Sequence, residues 1–203
     1  MTQSNFSRRT YQGESRRRFL SNAGYVTLSA TAIALIGGRE SLAASHSASR
    51  KADPAQDAAI LNVALGLEHE AINAYQLGTE SGLLQKPVLD VAVLFQGHHK
   101  EHRDALAGTV KKLGGTPVAA KTLSEYATDL KAGTLKNQSD ILKLAARLER
   151  GAANAYLGVI PAFGDADLAQ IAGRLAADET MHWTVLANAL GQSVPKEALT
   201  FGV

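Results

Sequence analysis

The residues best suited to chemistry in this sequence are histidines and glutamates that stand three positions apart. Glu179 pairs in this way with His182, and His99 with His102. On an α-helix, residues i and i+3 project from the same face, so each pair would direct two ligand atoms to one point. The chain contains no cysteine, which excludes thiolate metal sites, iron–sulfur clusters and cysteine nucleophiles. Any metal must therefore be bound by histidine and carboxylate.

Two further glutamates, Glu68 and Glu149, are flanked by apolar residues at helical spacing, and we expect them to point towards the core. Burial of an unpaired carboxylate is costly, so such groups must be exposed, paired or bound to a metal. Inward ionisable groups on four separate helices therefore suggest a metal site. A solvated polar face is the alternative for the whole set, and a hydrogen-bonded core histidine is an equal alternative for His99.

Four long helical segments carry these residues. Each has apolar residues at positions i, i+3, i+4 and i+7, and none alternates with the period of a strand. The predicted helices begin at the Asp53-Pro54 cap, near Pro87, after a Ser139-Asp140 cap and after Asp165 or Asp167, and they end near Gly82, Gly115, Pro161 and Gly191. Short connections join the first helix to the second and the third to the fourth, which predicts two antiparallel hairpins.

More than twenty residues, 115–138, separate the two predicted hairpins, and a short helix is expected around 123–130. Two hairpins joined by one long crossover predict an all-α, ferritin-like antiparallel four-helix bundle.

The hairpins also repeat in sequence. Segment 67–75 matches segment 148–156 at an offset of 81 residues, and segment 98–102 matches 178–182 at an offset of 80. A duplicated hairpin places equivalent residues around a pseudo-two-fold axis, where a shared site would lie.

This pattern resembles the ferritin-like carboxylate metal proteins, in which two helices each supply one glutamate and the other two each supply a Glu-x-x-His pair. The resemblance covers the chain from about 57 to 191. It is nearest to exported ferritin-like proteins and not to cage-forming ferritins. The ligands that it implies are Glu68, Glu149, Glu179, His182 and His102.

His99 departs from the family pattern, because the family has a glutamate at this position that usually bridges two ions. With a neutral imidazole there, the set contains three carboxylates and three imidazoles. It could hold two ions bridged by Glu179 alone, but it suits one ion at least as well. The additional nitrogen shifts the preference towards zinc or copper. We expect one or two transition-metal ions, iron foremost, with manganese, zinc or copper as alternatives.

Three other residues stand beside the predicted ligands. Tyr75 and Tyr156 each follow a glutamate by seven residues, so they could hydrogen-bond a carboxylate or relay electrons, although a plain core aromatic is the more common role. Asp178 precedes Glu179, as in the family's Asp-Glu-x-x-His, where the aspartate orients a ligand histidine on the facing helix. His98, the repeat equivalent of Asp178, is expected at the surface. No catalytic residue is assigned.

The first 43 residues are interpreted as a signal peptide. Ser15-Arg16-Arg17-Arg18-Phe19-Leu20 resembles the twin-arginine export signal, an uncharged apolar stretch follows, and Ser41-Leu42-Ala43 offers small residues for cleavage. The apolar stretch is too short for a permanent membrane span, although an uncleaved signal would tether the protein. The resemblance implies the twin-arginine export machinery as a partner, insertion of the metal in the cytoplasm, and a periplasmic or otherwise exported location.

The net charge of the chain differs between the predicted signal peptide, which ends at residue 43, and the rest of the sequence. The signal region has a net charge of +4, whereas residues 44–203 have a net charge of −2. A nucleic-acid-binding protein would keep its basic excess in the folded part, so that function is excluded. The predicted organisation is a signal peptide (1–43), a linker (44–52), the bundle (53–192) and a C-terminal tail (193–203).

These observations predict an exported metal-binding protein that acts on oxygen, peroxide or the redox state of the metal. The metal ions and small oxidants are its expected partners, and a homodimer is left open. A non-catalytic metal-buffering or stress-related protein with a degenerate site is the main alternative. A third alternative is an interaction module whose polar core contains no metal.

Overall fold

The computed structural model describes residues 53–202, and this part of the chain forms five α-helices and no strand. Val203 and the predicted signal peptide and linker lie outside the described residues. The all-α prediction is confirmed. The helices are α1 (Pro54–Glu80), α2 (Lys86–Lys112), α3 (Leu123–Asp129), α4 (Gln138–Val159) and α5 (Ala166–Ala189), with 3₁₀ turns at Ala132–Thr134 and Ile160–Ala162.

The ends of the helices follow from local capping chemistry. The Asp53 side chain accepts hydrogen bonds from two backbone N–H groups at the start of α1, and Asp165 caps α5. The predicted Ser139-Asp140 cap of α4 is wrong. The helix begins two residues earlier, because the side chain of Asn137 accepts a hydrogen bond from the Asp140 N–H group. The short helix in the crossover is present as α3, and a capping box between Thr122 and Glu125 forms its N-terminus.

The long helices form two hairpins that meet in the centre of the bundle. α1 packs against α2 and α4 against α5, and α1 also contacts α4. Two apolar clusters fill the interior. One contains Leu65, Leu106 and Tyr156, and the other contains Tyr75 and Trp183. A polar layer in the middle of the bundle separates the two clusters, and it is formed by the buried side chains of Glu68, His99, Glu149, Glu179 and His182.

The segment after α5 returns across the surface of the second hairpin. Phe201 packs edge-on against Trp183, with ring centroids 5.1 Å apart, and the Gly202 N–H group donates to Asn154. The Arg150 guanidinium lies over both rings and donates to the Thr200 carbonyl. Within residues 53–202, no helix combines the length and apolar character needed to cross a membrane.

Candidate metal centre

Six ionisable side chains from all four long helices converge in the polar layer. Five are at most 2% exposed, and the side chain of His102 is 11% exposed. They are the six residues whose types and spacing suggested ligands. These are Glu68 on α1, His99 and His102 on α2, Glu149 on α4, and Glu179 and His182 on α5. A cluster of this kind needs mutual charge compensation or a bound cation, because each group has lost its water.

The two single glutamates are held by tyrosines from the opposite hairpin. Tyr156 on α4 donates its phenol hydrogen bond to Glu68 on α1, and Tyr75 on α1 donates to Glu149 on α4. Burial and the adjacent carboxylates raise the pKa of both phenols well above 10, so both remain protonated donors. These reciprocal bonds obey the pseudo-two-fold symmetry that the sequence repeat predicted.

The imidazole of His99 lies between the two single glutamates. Its Nδ1 is 2.8 Å from Glu68 Oε2 and its Nε2 is 3.2 Å from Glu149 Oε1. Burial disfavours the imidazolium, but the two carboxylates outweigh this effect and hold the pKa of His99 well above its ordinary value of 6.5. The two carboxylates therefore favour the form of His99 that carries a proton on each nitrogen when no metal is bound.

Glu179 is the least compensated group of the cluster. Its side chain is 0% exposed, and among the described residues neither carboxylate oxygen has a hydrogen-bond partner. Oε1 lies 3.3 Å from His102 Nδ1, and Oε2 lies 3.3 Å from His182 Nδ1, both without hydrogen-bond geometry. Burial raises the pKa of Glu179, and the nearby imidazoles offset this only in part. This carboxylate is directed at a point where a cation would stabilise it.

The outer nitrogens of two histidines are supported by the facing helix. His102 Nε2 lies 3.3 Å from Asp178 Oδ2, the contact that the family motif implied. His182 Nε2 lies 2.9 Å from His98 Nδ1, and the two rings stack. Both supports direct the remaining Nδ1 atoms inward, towards Glu179. Such outer contacts set the ring orientation of a ligand histidine.

His98 was not recognised as part of the site from the sequence, because it was expected at the surface. It is half-buried, and burial together with His182 lowers its pKa, so it remains neutral. The sequence repeat could have identified it, since His98 is the equivalent of Asp178. His98 contacts His182 as Asp178 contacts His102.

The charges of the metal-free cluster are balanced by protons on its imidazoles. The pKa of His102 is raised to about 10, because Glu179 and Glu68 outweigh the effect of burial. The pKa of Glu149 is lowered, since His182 and His99 more than offset its burial. A cation that enters must displace imidazole protons, which couples its binding to pH.

The six residues form two groups of four, and each group places one ligand atom per residue within 4.8 Å of the others. Each contains two imidazoles and two carboxylates, a donor set that suits a transition metal such as iron or zinc. The residues present therefore fit a metal site. The groups are Glu68, His99, His102 and Glu179 on one side and His99, Glu149, Glu179 and His182 on the other.

A cavity of about 390 Å³ leads to the second of these groups from the side where α1 faces α4. Its lining is mainly apolar and contains several alanines, with Tyr75, His99 and Glu149 also on its wall. Small side chains such as Ala74 and Ala152 leave this space open between the helices. The cavity is large enough for a small oxidant to approach the polar layer.

The fold and the buried cluster of candidate ligands define a class of protein, and comparison with known families agrees. The ferritin-like domain family matches residues 56–192, which include all six candidate ligands. The chain belongs to this family.

A solved structure shows the same fold. It is the crystal structure of a conserved hypothetical protein, rv2844, from Mycobacterium tuberculosis, and it superposes with a TM-score of 0.58 at 22% sequence identity. The superposition covers 72% of this chain and 99% of that chain. At this identity the likeness concerns the fold alone. The search of curated proteins returns no match.

Proposed function

We propose that this chain is an exported ferritin-like protein that binds one or two transition-metal ions, iron foremost, for oxygen, peroxide or metal redox chemistry. The observation that carries the proposal is the fully buried Glu179 carboxylate, which lacks a hydrogen-bond partner among the described residues for both oxygens. A cation between these oxygens and the facing imidazoles would supply the missing stabilisation. A redox-active ion bound there would supply electrons to a small oxidant.

The residues of the chain prepare the site for such an ion in three ways. The tyrosine phenols fix one oxygen of Glu68 and one of Glu149, and thereby orient both carboxylates. The apolar clusters above and below exclude water, which strengthens the interaction of the ligands with a cation. The cavity between α1 and α4 gives a small molecule a route to the same layer.

Export through the twin-arginine machinery belongs to the proposal and is supported by the Ser15–Leu20 motif. The protein would then act in the periplasm or outside the cell, or remain tethered there if the signal is not cleaved. A homodimer is compatible with this location, and its test is the mass of the mature protein in solution.

Elemental analysis of protein exported by its own signal tests the metal-binding function. The wild-type protein should contain stoichiometric metal, and a Glu179→Ala, His182→Ala double variant should not. A Met181→Ala, Thr184→Ala variant is the matched control, since both residues are exposed on the same helix. Wild-type protein without metal, after loading in the cytoplasm, would overturn the proposal.

The presence of histidine at position 99, where the family has glutamate, favours a second candidate function, a metal-buffering protein without turnover. Its imidazole replaces the carboxylate that usually bridges the ions in this family, and the change could disable redox chemistry. Consumption of oxygen or peroxide by the metal-loaded protein separates the two candidates. Turnover supports the redox protein, and an occupied but inactive site supports the buffering protein.

A further inference from the structure

Two residues of the cluster, His99 and Glu179, belong to both four-ligand groups. They are also equivalents in the sequence repeat, at the offset of 80 residues, so the pseudo-two-fold axis relates one to the other. The residues that are not shared are equivalents as well. They are Glu68 and His102 in one group and Glu149 and His182 in the other.

A residue that belongs to both groups must direct a metal-binding atom towards each of them. The two ring nitrogens of His99 meet this requirement. Nδ1 faces Glu68 at 2.8 Å and Nε2 faces Glu149 at 3.2 Å. The ring stacks on Tyr75, with centroids 5.5 Å apart, and is 1% exposed, so it is held in this orientation. Each nitrogen therefore points into a different four-ligand group.

The other two histidines of the cluster are arranged differently. His102 directs Nδ1 towards Glu179, and His182 directs Nδ1 towards Glu149 and Glu179. Both use Nε2 for a contact at the edge of the site, with Asp178 and His98 respectively. Each can therefore bind one ion and keep a proton or a hydrogen bond on the outer nitrogen. Both nitrogens of His99, in contrast, face carboxylates of the cluster.

We propose, on the basis of the metal-binding function above, that the centre holds two ions and that His99 bridges them as an imidazolate. Nδ1 binds the ion beside Glu68, and Nε2 binds the ion beside Glu149. Each nitrogen–metal bond forms as the proton on that nitrogen leaves to solvent. The bridge thus replaces the carboxylate that the family has at this position with a ligand of the same charge.

In a centre with two ions, the charge balance supports an imidazolate over a neutral ring at His99. Two divalent ions carry four positive charges, and the three carboxylates of Glu68, Glu149 and Glu179 supply only three negative charges. An imidazolate at His99 supplies the fourth, so the buried centre is neutral overall. A neutral ring would leave a net positive charge in the core, where an uncompensated charge is costly.

The number of ions is measured by titrating the metal-free protein with zinc, which is diamagnetic and has no redox chemistry. The wild-type protein should bind two zinc ions per chain. His99→Glu restores a bridging carboxylate and should also bind two. His99→Ala removes a ligand from both groups, so we expect both affinities to fall by about tenfold or more, in line with losses on removal of supporting groups.

The bridge itself is observed by nuclear magnetic resonance of the wild-type protein with nitrogen-15-labelled histidine, so the test does not depend on the folding of a variant. In the zinc-loaded protein the His99 ring should show no N–H proton, and both of its nitrogen resonances should shift. The rings of His102 and His182 should each shift at one nitrogen only. The spectrum of His99→Glu identifies the His99 resonances by their loss.

The outcomes separate this proposal from the function on which it rests. Two zinc ions and a His99 ring without N–H protons support the bridge. A single zinc ion, or an N–H proton retained on His99 at saturation, overturns the bridge and leaves the metal-binding function intact. Absence of any zinc binding at the centre overturns both.

Discussion

The phenol of Tyr156 on α4 donates a hydrogen bond to Glu68 on α1, across the interface between the two hairpins. The same contact occurs in reverse between Tyr75 and Glu149. In each case a tyrosine that packs in an apolar cluster holds a carboxylate in the polar layer. The pair of bonds therefore joins the two halves of the repeat at the level of the candidate metal centre.

Replacement of either tyrosine by phenylalanine should destabilise the metal-free protein. Tyr75→Phe removes the phenol that donates to the buried Glu149, and loss of such a hydrogen bond costs about 1–3 kcal/mol in the free energy of unfolding. Tyr156→Phe should have a similar effect through Glu68, because the two sites are equivalent. Urea unfolding measures both. Tyr126→Phe, which removes a hydroxyl from α3 outside the polar layer, is the control and should cost less.

Replacement of Glu179 by glutamine should abolish metal binding and destabilise the metal-free protein at neutral pH. The carboxylate lies 3.3 Å from Nδ1 of both His102 and His182 and raises the pKa of both imidazoles. Its removal leaves buried positive charge without compensation, so the free energy of unfolding should fall by about 3 kcal/mol or more. Zinc titration measures the first effect, and urea unfolding at about pH 6.5 measures the second. A variant that still binds zinc would contradict the role of Glu179.

The metal-free protein should lose stability as the pH rises through the alkaline range. The pKa of His102 is raised from 6.5 to about 10, so its contribution to stability is complete below 6.5 and is lost towards pH 10. We expect the melting temperature to be lower at about pH 9.5 than at about pH 6.5, by roughly 5–10 °C. The same comparison on His102→Gln should show a smaller decrease. An equal decrease in both proteins would locate the titration elsewhere.

The contact between His98 and His182 should matter for metal affinity although His98 is not a candidate ligand. The 2.9 Å contact orients the His182 ring. Loss of such a supporting contact lowers the affinity for the metal by about 10–100-fold. His98→Ala should therefore raise the dissociation constant for zinc, and Asp178→Ala should do so through His102. Lys111→Ala, at an exposed position near the end of α2, should bind zinc as the wild type does.

A larger side chain in the cavity should slow the reaction of the loaded protein with an oxidant and leave its metal content unchanged. Ala74 lines the cavity between α1 and α4, and leucine at this position would occupy part of the route. The rate of change of the metal's absorption on mixing with oxygen or peroxide is the measurement. Ala189→Leu, at an exposed position of α5, is the control. An unchanged rate in Ala74→Leu would place the route elsewhere.

Helical periodicity, residue type and the internal repeat were sufficient to predict the all-α bundle and to select the residues that meet in its centre. Glu179 and His182 stand three residues apart, and this spacing alone directs them to one face. Helix starts were harder to predict, since Asn137 and Ser139 are both good caps and only the packed structure selects Asn137.

The orientation of individual atoms was decided by the tertiary structure. The sequence could not show that His99 directs its two nitrogens to carboxylates on different helices, or that His98 reaches His182. Spacing along one helix specifies a face, because the backbone geometry is local. Which atom of a ring meets which partner depends on the distance and rotation between helices, and these are set by the packing of all four long helices together.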